Sequence, residues 1–129
     1  MVEEINIVIK DKEYILPVEY DCYDDEEITS NQIWAAENFE LNSNRLRMMI
    51  EKVAQYCESE IKNNSDSYID KYDILSYLKP EYLYVLRDDD REYSRVALMC
   101  KYKYDLEHGL AIVFSKEGDI EVGIQDIVL

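Results

Sequence analysis

The chain has 129 residues, of which 29 are acidic and 14 are basic, so its formal net charge at pH 7 is −15. A negative excess of this size repels nucleic-acid phosphates and favours either no charged partner or a basic protein. The hydrophobic fraction of 47% is typical of a globular protein and excludes a disordered chain. We therefore expect one folded domain over residues 1–129.

The cysteines, the N-terminus and the apolar runs bear on cofactors and location. The chain has an odd number of cysteines, which are widely spaced and form no C-x-x-C motif: Cys22, Cys57 and Cys100. Neither a disulfide framework nor a zinc site is therefore expected. The acidic N-terminus lacks the basic and apolar regions of a signal peptide. No apolar run reaches the length of a membrane span. We expect a cytoplasmic protein with free thiols, no cofactor and no membrane contact.

Two alternating segments predict an N-terminal β-hairpin. Apolar residues alternate over residues 3–10 and again over residues 13–20, which is typical of half-buried strands. Asp11 and Lys12 provide a tight turn between the two strands. Pro17 cannot donate a ladder hydrogen bond, so we expect the second strand to lie at the edge of a sheet or to carry a bulge.

The middle of the chain predicts helices. Thr29 and Gln32 fit a capping box that starts a short helix. Trp34 lies on this helix and is expected to anchor the core. After a break at residues 42–44, apolar residues spaced by three and four indicate a second helix that ends near residue 61.

The last third of the chain predicts one further helix and a set of strands. The helix is expected over residues 67–79, because Ile69, Tyr72, Leu75 and Leu78 are spaced by three and share one helix face. It ends there because the residue before Pro80 avoids the helical region. We thus expect an α+β fold: a mainly antiparallel sheet, made of the N-terminal hairpin and a C-terminal β-meander, with two to three helices packed on one face. No dimer seam is evident, and the oligomeric state stays open. The four predicted strands of the meander cover residues 82–87, 94–104, 110–114 and 120–124.

Two acidic runs supply the candidate partner-binding residues. The first lies in the connector after the hairpin, and the second lies at a predicted hairpin tip. An EF-hand is excluded because no glycine lies near the first run. Clustered like charge speeds association with a partner of opposite sign, although the same residues also suit a solvated acidic loop. The candidate residues are Asp24, Asp25, Glu26, Glu27, Asp88, Asp89 and Asp90.

His108 is the only histidine, and it lies between carboxylates at positions 105 and 107. Zinc normally needs several His or Cys ligands, and no serine lies in a nucleophile-elbow context, so no catalytic residue or metal ligand is expected. We interpret Asp105, Glu107, His108 and Gly109 as a turn between strands, in which Gly109 supplies an unusual backbone angle. An enzyme or metal site centred on Glu107 and His108 is the competing interpretation.

The C-terminal sequence resembles a known family. The stretch over residues 104–114 carries a D-x-E-H-G-hydrophobic-A-hydrophobic-x-F signature, and a G-x-Q-D motif follows at residues 123–126. Both are similar to an uncharacterised family of small bacterial α+β domains. Members of this family are viewed as immunity proteins of bacterial toxin systems, so the resemblance implies that role and carries over no established catalytic residue. The negative net charge adds the expectation that such a toxin is basic. The signature residues map to Asp105, Glu107, His108, Gly109 and Asp126.

The residues and the resemblance together predict a small acidic cytoplasmic binding protein without catalysis, acting as an immunity protein against a bacterial toxin. The alternative is a bacterial or mobile-element protein of unknown function whose acidic surface only serves solubility.

Overall fold

The computed structural model describes residues 2–23, 25–41, 43–64, 77–87, 94–103, 105–115 and 119–129. In these residues the chain forms a six-stranded sheet and two α-helices, which confirms the predicted α+β class. The strands lie in the sheet in the order in which they occur in the sequence. The elements are β1 (Glu4–Ile9), β2 (Lys12–Tyr20), α1 (Ser30–Leu41), α2 (Ser43–Asn64), β3 (Leu78–Val85), β4 (Val96–Tyr102), β5 (Leu110–Phe114), β6 (Ile120–Gly123) and a short 3-10 helix (Gln125–Ile127).

β1 and β2 form the predicted hairpin, and a two-residue turn joins them. The turn residues are Lys10 and Asp11, one position earlier than predicted, with φ angles of 48° and 67°. Positive φ at both positions gives the turn the twist that suits a hairpin. A residue other than glycine in this left-handed region of backbone conformation destabilises the folded state by about 1 kcal/mol. The tight turn places Ile9 opposite Lys12 and so aligns Ile5 with Leu16.

The prediction that β2 lies at a sheet edge or carries a bulge is wrong, because β2 lies between β1 and β3 and pairs with both in unbroken register. The position of Pro17 explains how the strand tolerates a proline. The N–H of Val18 donates to the carbonyl oxygen of Glu3, so the backbone nitrogen of Pro17 points away from β1. On that other side, pairing with β3 begins only at Val18. The missing N–H of Pro17 therefore interrupts neither ladder.

The two helices follow the predicted pattern, with one exception. α1 begins with the predicted capping box: the N–H of Gln32 donates to Thr29 Oγ1 at 3.1 Å, and the N–H of Thr29 donates to Gln32 Oε1 at 3.0 Å. Trp34, however, is 40% exposed and does not anchor the core. Phe39 takes that place, because its helix position, unlike that of Trp34, faces the sheet, and it is fully buried there against the ring of Phe114 at 5.1 Å.

The prediction of a third helix is wrong at its C-terminal end. Most of residues 67–79 lie outside the described residues, but Leu78 and Lys79 belong to β3 and not to a helix. Pro80 lies inside this strand, next to a register shift between Pro80 and Tyr82 that leaves one extra residue in β3. A bulge is one of the few strand positions that tolerate proline. The apolar spacing of three suggested a helix here, whereas the burial alternates as in a strand.

One strand pair is parallel. β2 and β3 pair in parallel over Val18–Tyr20 and Leu83–Val85, whereas the other four pairs are antiparallel. Parallel neighbours need a long crossover connection. The segment that carries α1 and α2 provides it, and it carries both helices to the sheet.

Side chains are buried on both faces of the central strands. The larger cluster joins the helices to one sheet face, as predicted for a layered α+β fold. A second, smaller cluster lies on the opposite face of β4 and β5, so all five residues of β5 are buried. Tyr82, Tyr84 and Val128 pack against this second cluster. The second cluster comprises Leu86, Ala97, Met99, Ala111 and Val113.

Candidate functional site

The acidic connector between β2 and α1 is attached to the sheet at its first residue. The N–H of Asp21 donates to the carbonyl oxygen of Val85 at 2.8 Å, which extends the parallel pairing of β2 and β3 by one residue. The side-chain nitrogen Nε2 of Gln32 donates to the carbonyl oxygen of Asp21 at 2.9 Å. The connector therefore leaves the sheet in a defined direction and returns to it at the capping box of α1.

Gln32 joins three elements through one buried side chain. Its exposed fraction is 1%. Besides Asp21, its Nε2 reaches the carbonyl oxygens of Val85 at 3.4 Å and Leu86 at 3.3 Å. Its Oε1 accepts from Thr29 in the capping box. A buried amide needs partners for both of its ends, and the connector, α1 and the end of β3 supply them.

Arg87 holds the connector from the end of β3. Its Nε lies 3.5 Å from Asp21 Oδ2, and its Cζ lies 4.1 Å from the ring centre of Tyr23, within cation–π range. The side chain of Asp21 also faces Tyr84. Burial, followed by the charge of Asp21 and a hydrogen bond to it, raises the pKa of Tyr84 to about 12. Tyr84 thus stays a neutral hydroxyl at every physiological pH.

The outward side of the connector presents carboxylates next to an aromatic ring. Tyr23 is 60% exposed, and Asp25, Glu26 and Glu27 are exposed as well. The N–H of Tyr23 donates to Glu26 Oε1 at 3.0 Å, and the N–H of Glu26 donates to the carbonyl oxygen of Tyr23 at 2.9 Å. These two bonds form a small turn. We call Tyr23, Asp25, Glu26 and Glu27 the connector surface.

A shallow cavity of about 170 Å³ lies behind the connector surface. Asp21, Glu26 and Glu27 contribute carboxylates to its lining, and Arg87 contributes a cation. The sequence-predicted residue Asp24 and the second acidic run, residues 88–90, lie outside the described residues. Of the seven predicted partner-binding residues, the structure describes Asp25, Glu26 and Glu27, which are consecutive in the chain and exposed.

The signature residues form the turn between β4 and β5. The N–H of Gly109 donates to the carbonyl oxygen of Asp105 at 2.9 Å, and the backbone of Gly109 is left-handed with a φ of 61°. The N–H of Gln125 donates to the carbonyl oxygen of His108 at 3.1 Å, and Gln125 Nε2 donates to that of Cys100 at 3.1 Å. The two parts of the signature therefore hold each other in place.

The side chain of His108 bonds within its own turn. Its Nδ1 lies 3.1 Å from both Oδ1 and Oδ2 of Asp105. The backbone N–H of His108 also donates to Asp105 Oδ1, at 3.2 Å. The hydrogen bond and the negative charge of Asp105 raise the pKa of His108 above its usual value of 6.5. Glu107 is exposed. In the part of the chain that the structure describes, no three His, Cys, Asp or Glu side chains converge in a way that could hold a metal ion.

We expect the titration of His108 to report this ion pair directly. The protein has a single histidine, so its proton NMR signal needs no assignment. The wild type should titrate above 6.5, and Asp105→Asn, which keeps an acceptor for the His108 N–H, should return the pKa toward 6.5. Because the folded-state pKa is raised, the stabilisation is complete below pH 6.5 and is lost as the pH rises through the folded value. His108→Ala should therefore cost more stability in mild acid than in alkali. A wild-type pKa at or below 6.5 would contradict the ion pair.

Comparison with known proteins places the chain in a family. A family profile described as a domain of unknown function, DUF6985, matches residues 2–129. The chain belongs to this family. The expectation of a family without an established function is thereby confirmed. No curated protein and no solved structure matches the chain. Neither α1 nor α2, the helices among the described residues, is long and apolar enough to cross a membrane.

Sequence reasoning missed two residues of the site. The sequence identifies Gln32 only as half of a capping box, and Arg87 only as a residue directly before the second acidic run. The capping box was a local signal for Gln32, but its bonds to Val85 and Leu86 span more than 50 residues. An arginine at the end of a predicted strand is the only signal for Arg87, and it does not identify Asp21 or Tyr23 as a neighbour.

Proposed function

We propose that this protein is a non-catalytic binding protein that neutralises a basic bacterial toxin as its immunity protein. The connector surface carries the proposal, because it presents exposed carboxylates beside an exposed tyrosine in a turn attached to the sheet. Acidic residues steer the approach of a basic partner, and tyrosine is a frequent anchor of protein interfaces. The net charge of −15 adds long-range attraction to such a partner.

The arrangement suits inhibition by occlusion. A toxin that acts on nucleic acid needs a basic surface to bind phosphates, and an acidic turn competes for the same surface. Arg87 and Gln32 hold the connector in place before the partner arrives, so little ordering entropy is lost on binding. The C-terminal sequence resembles a family of small bacterial domains whose members are viewed as immunity proteins, and this supports a toxin as the partner.

The test measures cell survival and partner binding, and it compares the wild type with a variant in which connector charges are removed. A candidate toxin from the genes that neighbour this one is expressed with and without the protein, and binding of the purified pair is measured by calorimetry. The variant combines Asp25→Asn, Glu26→Gln and Glu27→Gln, of which Glu26→Gln keeps the acceptor for Tyr23. We expect it to bind about tenfold to a hundredfold more weakly and to protect poorly.

The matched control removes three charges elsewhere. Glu58→Gln, Asp119→Asn and Glu121→Gln are exposed positions away from the connector, and this variant should protect almost as well as the wild type. Equal killing with and without the wild-type protein would refute the proposal and favour an acidic surface that only serves solubility. Equal losses in both triple variants would show that net charge acts without a defined surface.

A further inference from the structure

The outer edge of β1 offers unused backbone hydrogen-bonding groups. Within the described residues, β1 pairs with β2 alone. Glu3 accepts a hydrogen bond from Val18 of β2, and backbone groups alternate in direction along a strand. The N–H and C=O groups of Glu4, Asn6 and Val8 therefore point away from β2, and no strand of the described ranges pairs with them.

The middle of this edge lacks the features that usually prevent strand pairing. Proteins guard edge strands with charges, prolines, bulges or short length. Residues 5–9 are Ile-Asn-Ile-Val-Ile, without charge or proline, and β1 pairs with β2 in unbroken register. The strand at the other edge, β6, has four residues and is followed by the 3-10 helix. β1 is thus the edge at which a further strand fits.

The two ends of this edge carry opposite charges. Glu3 and Glu4 lie at its start and are exposed. At its other end a cavity of about 320 Å³ lies between the hairpin turn and α2. Lys10 and Arg47 line it together with one carboxylate, Asp11, so the lining keeps a net positive charge, and Val8, Leu46 and Ile50 add apolar surface. An antiparallel copy of the same edge would place its acidic end against this basic, partly apolar end, and would do so twice.

We propose that two copies of this chain associate through antiparallel pairing of their β1 strands. With Asn6 opposite the partner's Asn6, Glu4 lies opposite the partner's Val8, and all three outward residues of each strand are paired. Ile5 then lies opposite the partner's Ile7 on the side that faces the helices, so the apolar stripe continues across the two-fold axis. Glu3 lies on the same face of the strand as Ile5. In the dimer it lies opposite the partner's Ile9 and reaches the cavity lined by the partner's Arg47.

A second copy fits this edge despite the net charge of −15 on each chain. At physiological ionic strength the screening length is about 8 Å, so charges far from the interface repel weakly while adjacent opposite charges still attract. Pairing along one six-residue strand buries little surface, and such contacts belong to the weak, transient class. The dimer is therefore expected to form reversibly in the micromolar range.

The test is sedimentation equilibrium at physiological ionic strength with a charge exchange. Glu3→Lys and Arg47→Glu should each weaken the wild-type dimer about tenfold or more, because each replaces two attractions by two repulsions. The double variant, Glu3→Lys with Arg47→Glu, should restore the dimer. Both residues are exposed, so neither change is expected to impair folding.

A backbone variant tests the strand pairing itself. Asn6→Pro removes the central outward N–H, whereas Asn6→Ser keeps it, and both remove the bond from Asn6 to Glu13. Asn6→Pro should be monomeric and Asn6→Ser dimeric, with folding of each checked by circular dichroism. If Asn6→Pro fails to fold, the charge exchange decides. A wild type that stays monomeric at all concentrations, a folded Asn6→Pro that still dimerises, or a double variant that stays monomeric would overturn the proposal.

Discussion

Replacing Gly109 by alanine is expected to lower the free energy of unfolding by about 3 kcal/mol, through strain and overpacking together. The φ of Gly109 is 61°, a region that disfavours any residue with a Cβ. A Cβ added there would lie 2.7 Å from Gln125 Nε2 and 2.9 Å from the carbonyl oxygen of Cys100. The contact with the Cys100 oxygen is with backbone, so its relief requires a shift of β4. Relief of the contact with Gln125 requires that side chain to move and to lose its bond to Cys100.

Urea unfolding of the purified variant measures this loss, and Gly123→Ala is the matched control. The three atoms nearest to a Cβ at Gly123 would all belong to the side chain of Ile127, the closest at 3.1 Å, and Ile127 is 43% exposed, which leaves room for its side chain to shift. We expect this control to cost less than about 1 kcal/mol. Similar losses in the two variants would contradict a special role for the left-handed turn.

The contrast also bears on the competing interpretation of the signature as an enzyme or metal site. The bonds around Gly109 and Gln125 give the signature a structural role that needs no ligand. A large stability loss at Gly109 is what this role predicts.

Replacing Gln32 by alanine is the second change with a large expected effect, a loss of about 3 kcal/mol. The substitution removes half of the capping box and leaves the part-buried carbonyl oxygen of Asp21 without its amide donor. It also leaves a void where a side chain with 1% exposure was packed. Thermal or urea unfolding would measure the change.

Gln32→Glu separates the two ends of the amide. It keeps an oxygen for the N–H of Thr29 but sets a carboxylate oxygen against the carbonyl oxygens of Asp21, Val85 and Leu86. Burial among these oxygens raises the folded-state pKa of the new carboxyl, so the penalty is absent in acid and grows as the pH rises. A Gln32→Glu protein that is equally destabilised at pH 4 and pH 8 would show that the amide donor is unimportant.

Gln32 also links stability to the proposed function. Without its bond to Asp21, the connector should become more mobile, and binding of a toxin would then lose affinity through the added ordering cost. We therefore expect Gln32→Ala to weaken partner binding although Gln32 itself is buried. Hydrogen exchange at residues 21–23 and 25–28 would show whether the connector loosens.

Features that depend on neighbouring residues were predictable from the sequence. Alternation over β1 and β2 identified the hairpin, and Thr29 with Gln32 identified the start of α1, because both signals arise within a few residues. The acidic connector was recognisable as a candidate surface for the same reason, since its residues are consecutive. The residues around Gly109 were likewise interpreted as a turn, and the structure places a left-handed glycine there.

Features that depend on distant contacts were decided only by the tertiary structure. Pro17 is tolerated in an interior strand because β3 pairs with β2 only beyond it, and Pro80 because a bulge lies beside it. Trp34 is exposed because Phe39 meets Phe114 instead. Arg87 becomes part of the site because the parallel pairing of β2 and β3 brings it to Asp21. Periodicity and capping are local hydrogen-bonding and packing preferences, whereas each of these outcomes requires the topology that brings remote segments together.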